Sequence, residues 1–163
     1  MSEQILKALM QLFAIIARPE SNSTDRRTVV QSFLLRLLNE ELVQEYLKIF
    51  DGFYFTQQDK TRDTEKHRSI ISASSVKVLK IANKINEELT QEQKLIVLFQ
   101  LFDFVRIDSV EVSQQEIEFI DTIADSFHIS LEEYNEIKEF VIHDFSNIPN
   151  NERILIVDSE SNF

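Results

Sequence analysis

Apolar side chains recur at three- and four-residue spacing along nearly the whole chain, the pattern of amphipathic helices. Ile5, Leu6, Leu9, Leu12, Phe13 and Ile16 stripe a first helix expected over about Glu3 to Arg18 and stopped at the Arg18-Pro19 junction. Ser21-Asn22-Ser23-Thr24 offers capping side chains for a second, which runs to about Leu38 along Val29, Val30, Phe33, Leu34, Leu37 and Leu38. A third, over about Glu40 to Asp51, carries Leu42, Val43, Tyr46, Leu47 and Phe50, and Gly52 reads as its stop. Thr56 to Arg68 is charged and nearly free of apolar side chains, so it reads as a mobile, exposed connector. From about Arg68 to Glu88 a fourth helix turns Ile71, Val78, Ala82, Ile85 and Leu89 to a core, with Lys77, Lys80 and Lys84 in one stripe.

Three capping boxes mark the later helix starts. Thr90 with Gln93, Ser113 with Glu116 and Ser130 with Glu133 each set a hydroxyl three residues ahead of a Glu or Gln. The helices they open are expected to reach about Ile107 through Leu95, Leu98, Phe99, Leu101, Phe102 and Val105, then to span about Gln114 to Phe127 and Leu131 to Phe145. Beyond Asn147 the pattern breaks at Pro149-Asn150-Asn151, and Ile154-Leu155-Ile156-Val157 reads as a short strand, either a packed tail or the start of a following domain.

The elements occur twice. Leu9-Met10-Gln11-Leu12-Phe13 returns as Leu98-Phe99-Gln100-Leu101-Phe102, 89 residues later. At that offset Ile16 falls on Val105, Val30 on Phe119, Leu34 on Ile123 and Leu38 on Phe127. After a one-residue slip Glu45-Tyr46 falls on Glu133-Tyr134 and Ile49 on Ile137, which points to one helical unit present in two copies.

Composition agrees with an all-α chain able to bury a core: 43% of its 163 residues are hydrophobic, 13 of them Phe, and one Gly and two Pro leave little turn punctuation. Without cysteine there is no disulfide, thiolate metal site or cysteine nucleophile, which fits a reducing compartment. Lys7 and Gln11 interrupt the apolar start and no small-residue cleavage site follows, so a signal peptide is not expected. No run approaches the roughly 18 apolar residues of a membrane span. The expected setting is cytoplasmic.

The net charge of −11 divides unevenly: −2 over residues 1–59, +5 over 60–84 and −14 over 85–163. The acidic half repels phosphate backbones and disfavours nucleic acid. The lysine stripe is then the basic surface available for docking, with an acidic protein partner, an anionic inner-membrane surface or the acidic second copy of the unit as its candidates; a solvated helix face is the plainer alternative.

Nucleotide-binding glycine loops are impossible with one glycine, and His67, His128 and His143 lie on separate elements without catalytic spacing. Asp103, Asp108, Glu111 and Glu116 surround one joint of the second copy, where converging carboxylates suit a divalent cation. An EF-hand beginning at Asp108 fails, because Val110 and Val112 fall where oxygen ligands belong and Phe119 where the bidentate Glu should be. The alternative is that Asp108 and Glu111 are solvated turn residues and Glu116 is the capping partner of Ser113.

The run Leu101-Phe102-Asp103-Phe104-Val105, Asp108-Ser109-Val110-Glu111, Val112-Ser113-Gln114-Gln115-Glu116 and His128-Ile129-Ser130-Leu131-Glu132 resembles the TerB-like (tellurite-resistance protein B) helical family. The resemblance covers about Glu3 to Phe145 and implies an all-helical, internally duplicated domain. It implies metal-binding positions at Asp108 and Glu116, with Asp103 a neighbour. This chain has Asp108-Ser109-Val110 where Asp-Gly is usual, and no Asp-Gly in Arg18-Pro19-Glu20-Ser21-Asn22 of the first copy. Such modules also occur fused to other domains, and this region resembles the leader of large bacterial proteins that continue into an ABC-type ATPase.

The expectation is therefore an all-α, internally duplicated TerB-like bundle of about seven helices with a short extended C-terminal tail. Residues 1–146 form the domain, with copy one over about 3–53, the connector over 56–68, a linking helix over 68–88 and copy two over about 90–145; residues 147–163 are the tail or the start of another domain. The expected function is that of a non-enzymatic interaction or regulatory module, the N-terminal accessory domain of a larger cytoplasmic bacterial protein, contacting a protein partner or its own downstream domain through Lys77, Lys80 and Lys84. The alternatives are a divalent-metal sensor using Asp103, Asp108 and Glu116, and an accessory domain to an ABC-type ATPase outside these residues.

Overall fold

Helix α1 (Glu3–Ile16) is buried on nearly every side, from Ile5 to Ala17, because its sequence leaves almost no polar face. The computed structural model describes residues 1–18, 23–61, 67–107 and 112–142, and of Ser23, Thr61 and residues 67–72 the backbone alone. On α1 pack α3 (Glu40–Thr61), α4 (His67–Glu88), α5 (Gln91–Arg106) and α6 (Gln114–Ser126), while α2 (Ser23–Leu35) lies on α3 and α5, and α7 (Leu131–Ile142) on α5. Among the described residues the fold is all-α, seven helices without a strand. The expected strand at Ile154–Val157 and the end of the seventh helix beyond Ile142 lie outside the described residues.

Phenylalanines join the layers. Phe13 of α1 lies 5.9 Å from Phe33 of α2 and 5.2 Å from Phe104 of α5, and Phe104 meets Phe50 of α3 edge-on at 6.1 Å. In the second triplet Phe102 of α5 lies 5.5 Å from Tyr134 of α7. Residues matched by the repeat share their environment: Leu9 and Leu98, Phe13 and Phe102, Ile16 and Val105, Leu34 and Ile123, and Tyr46 and Tyr134 are all buried. In each triplet the first helix packs on the third, α1 on α3 and α5 on α7.

The caps at Thr90 and Ser113 form the full reciprocal boxes their sequences imply. At Ser130 the hydroxyl likewise accepts from the Glu133 N–H at 3.2 Å. Ser2 caps α1, and its hydroxyl donates to Glu88 at 2.8 Å, fastening the chain start to the end of α4.

Three expectations need correction. Gly52 does not stop the third helix, which continues to Thr61. Tyr54, Gln57 and Gln58 are buried beyond it; Gln57 donates to Ser74 of α4 at 3.1 Å and Gln58 to the Arg18 carbonyl at 3.1 Å. Polar side chains satisfied this way extend a buried face that hydrophobic spacing alone cannot reveal. The connector thus starts later than expected, and residues 62–66 lie outside the described residues. Helix α2 ends at Leu35, earlier than Leu38, because the Arg36 and Leu37 amides turn back to Phe33 and Leu34. Leu37 and Leu42, expected in the core, flank that turn and are exposed.

Candidate functional site

Glu116 stands in the first turn of α6 and is completely buried, with its two carboxylate oxygens given separate tasks. Oε1 accepts from the Ser113 hydroxyl at 2.8 Å and from the Ser113 amide at 3.3 Å, completing the helix cap. Oε2 lies 2.8 Å from an Nη of Arg26 on α2, whose side chain is equally inaccessible. The contact is a fully buried ion pair. The Arg26 guanidinium also stacks 4.9 Å above the Phe104 ring.

This arrangement bears on the carboxylates of the expected metal site. Asp103 lies 2.5 Å from Arg106 one turn along α5, Glu116 is held by Ser113 and Arg26, and Asp108 and Glu111 lie outside the described residues. Among the described residues no three His, Asp or Glu side chains converge as a cation site. A divalent ion at Glu116 would have to displace a buried arginine.

Sequence reasoning passed over Arg26. Its signal was positional: Arg26, Val30 and Phe33 fall on one helical face, so a charged residue occupies the apolar stripe of α2. A cation on such a stripe calls for a buried anion, and nothing local identifies one 90 residues away.

Lys77, Lys80 and Lys84 are exposed along one side of α4, as their spacing predicted. Val78, Ala82 and Ile85 on the opposite side are fully buried, and α4 packs on α1 and α6. Among the described residues no ion pair occupies any of the three lysines. Beside them Val76 and Leu79 are 51% and 45% exposed, so the outward face of α4 is a basic line with an apolar flank.

Surface clefts lie beside two of the helix pairs. One of about 500 Å³ lies between α2 and α3, where Arg27 meets Asp51 at 3.1 Å among Thr28, Phe50, Tyr54 and Phe55. The other, of about 340 Å³, lies between α6 and α7 and is lined by Asp121, Asp125, Ile129, Leu131, Tyr134 and Lys138. In it the Tyr134 hydroxyl donates to Asp121, and Lys138 Nζ lies 5.7 Å above the Tyr134 ring. Burial, then the bond to Asp121, pushes Tyr134 ionisation well above the ordinary phenol range. His128 is exposed, with Nδ1 3.1 Å from the Asp125 carbonyl, whereas the His67 side chain and His143 lie outside the described residues. Among the described residues no helix is long and apolar enough to cross a membrane.

No protein-family model, curated protein or solved structure matches this chain.

Proposed function

We propose that this chain is a non-enzymatic, TerB-like interaction or regulatory module whose contact surface is the outward face of α4. One observation carries the reading. Three lysines in helical register stand exposed beside an apolar flank and, among the described residues, without ion pairs, on a helix whose opposite side is locked into the core. Long-range attraction from such a line speeds encounter with an acidic partner, and desolvation of Val76 and Leu79 adds to affinity on contact. A stripe that was merely solvated would not need the apolar flank, although single exposed apolar residues are common.

The TerB-like assignment rests on the short motifs of the second copy, the order of two helix triplets about a linking helix, and the matched burial of repeat-related residues. A place at the front of a larger cytoplasmic bacterial protein, with or without an ABC-type ATPase beyond it, rests on that resemblance alone.

Calorimetric titration with poly-L-glutamate, as a stand-in for an acidic segment, tests the reading. Saturable binding that Lys77→Glu/Lys80→Glu/Lys84→Glu abolishes supports it. Absence of binding, or binding unaffected by those substitutions, would overturn it. For the rival metal reading, excess Ca²⁺, Mg²⁺, Mn²⁺ or Zn²⁺ must raise the thermal midpoint in a manner lost with Asp103→Ala or Asp108→Ala.

A further inference from the structure

The lysine ladder of α4 has a counterpart on the same chain. On α6, Glu118, Asp121 and Asp125 are exposed and follow one another at steps of three and four residues, the same steps that separate Lys77, Lys80 and Lys84. Both ladders therefore run along one side of their helices with equal length and equal charge number. They do not meet within a molecule: α4 packs on α6 through its buried side, and among the described residues none of the six side chains has an ion-pair partner. Lys138, the cation nearest the acidic ladder in its cleft, lies over the Tyr134 ring.

The apolar surroundings match as well. Val76 and Leu79 flank the basic ladder, while Leu131, at 74% exposure the most open large apolar side chain of the described residues, stands with Ile129 in the cleft that Asp121 and Asp125 border. Exposed ion pairs alone contribute little, so a contact of this kind depends on apolar burial for affinity and on the ladders for register.

We infer that a second copy of this chain occupies the α4 face, its α6 carboxylate ladder lying along Lys77, Lys80 and Lys84. This rests on the reading of α4 as a contact surface and names the partner. Each copy carries both halves of the contact, so a closed pair and an open chain of copies use the same interface.

Charge exchange gives the test. Lys77→Glu/Lys84→Glu and Glu118→Lys/Asp125→Lys reverse the two ends of each ladder, and both leave Asp121 with Tyr134. Each acid-to-lysine change adds two charges, so the second variant has net charge −7 against −11 for the parent. If net repulsion alone governed association, that variant would associate more strongly than the parent. Sedimentation equilibrium is expected to show the parent self-associating, each variant weakened by at least about tenfold with its helical circular dichroism retained, and a one-to-one mixture of the two restored. Restoration cannot arise from damaged folding, since both mixed chains fail alone. A monomeric parent, a Glu118→Lys/Asp125→Lys variant that associates as well as the parent, or a mixture that stays monomeric would each overturn the inference. If the parent is monomeric yet still binds poly-L-glutamate through α4, the contact-surface reading stands and only the partner is wrong. Loss of both would remove the reading itself. Binding to phosphatidylglycerol vesicles by a monomeric parent would instead assign the face to an anionic lipid surface.

Discussion

Arg26 and Glu116 meet at 2.8 Å with neither side chain reached by solvent, joining the first helix triplet to the second. Glu116 is fixed by its helix cap and Arg26 by the Phe104 ring, so the pair brings α2 to the start of α6 in one register. Buried pairs of this kind are costly to break and often cheap to replace, because the expensive state is one uncompensated buried charge.

Glu116→Gln retains a side chain able to cap α6 but removes the buried anion 2.8 Å from Arg26, and is expected to destabilise the fold by about 3–5 kcal/mol. Arg26→Met combined with Glu116→Gln is expected to recover most of that loss. Urea unfolding of the two single variants and the double variant measures the coupling. Additive effects would show that the pair contributes no specific energy.

Gly52 lies inside α3, and a Cβ built there meets nothing within 4 Å. Gly52→Ala is therefore expected to stabilise the protein by roughly 0.4–1 kcal/mol, through the helix and through a less flexible unfolded chain. A higher thermal midpoint checks this. A loss would mean that the helix ends at Gly52, as apolar spacing alone predicts.

That position marks where sequence was legible and where it was not. Thr90, Ser113 and Ser130 announced helix starts correctly because a capping box is a local device, complete within four residues. Gly52 misled because the residues that carry α3 past it, Gln57 and Gln58, are polar and are buried only through partners on α4 and at Arg18. The lysine stripe followed from spacing, since solvent exposure opposite an apolar face is local too. Arg26 could not be placed, since its role depends on a carboxylate in the other triplet.

His128 follows α6 in the left-handed region at φ 56°, where the Ile129 amide reaches back to the Ala124 carbonyl at 3.1 Å. His128→Gly removes the Cβ strain of that conformation and is expected to raise stability by up to about 1 kcal/mol. Chemical denaturation would register the gain as a higher midpoint with an unchanged slope.

Tyr134 ionises at higher pH in the folded chain than in the unfolded one, chiefly because it is buried and then because it donates to Asp121. The folded state therefore holds its proton while the unfolded state releases it, so the stabilisation is complete below the ordinary phenol value of 10.0 and is lost as pH rises above it. Tyr134→Phe is expected to cost about 0.5–1.5 kcal/mol at neutral pH by removing the bond to Asp121, whose exposed carboxylate water then solvates, and to flatten the alkaline fall in stability. Unfolding free energy measured across the alkaline range, with absorbance at the phenolate band, separates the two effects.

The most direct measurement is residue-resolved amide chemical-shift mapping of the ¹⁵N-labelled chain during titration with poly-L-glutamate. Use of α4 as the contact surface predicts saturable shifts confined to residues 76–84 and their immediate neighbours, all absent in Lys77→Glu/Lys80→Glu/Lys84→Glu at unchanged stability. Shifts scattered over the surface, or centred on another helix, would contradict it.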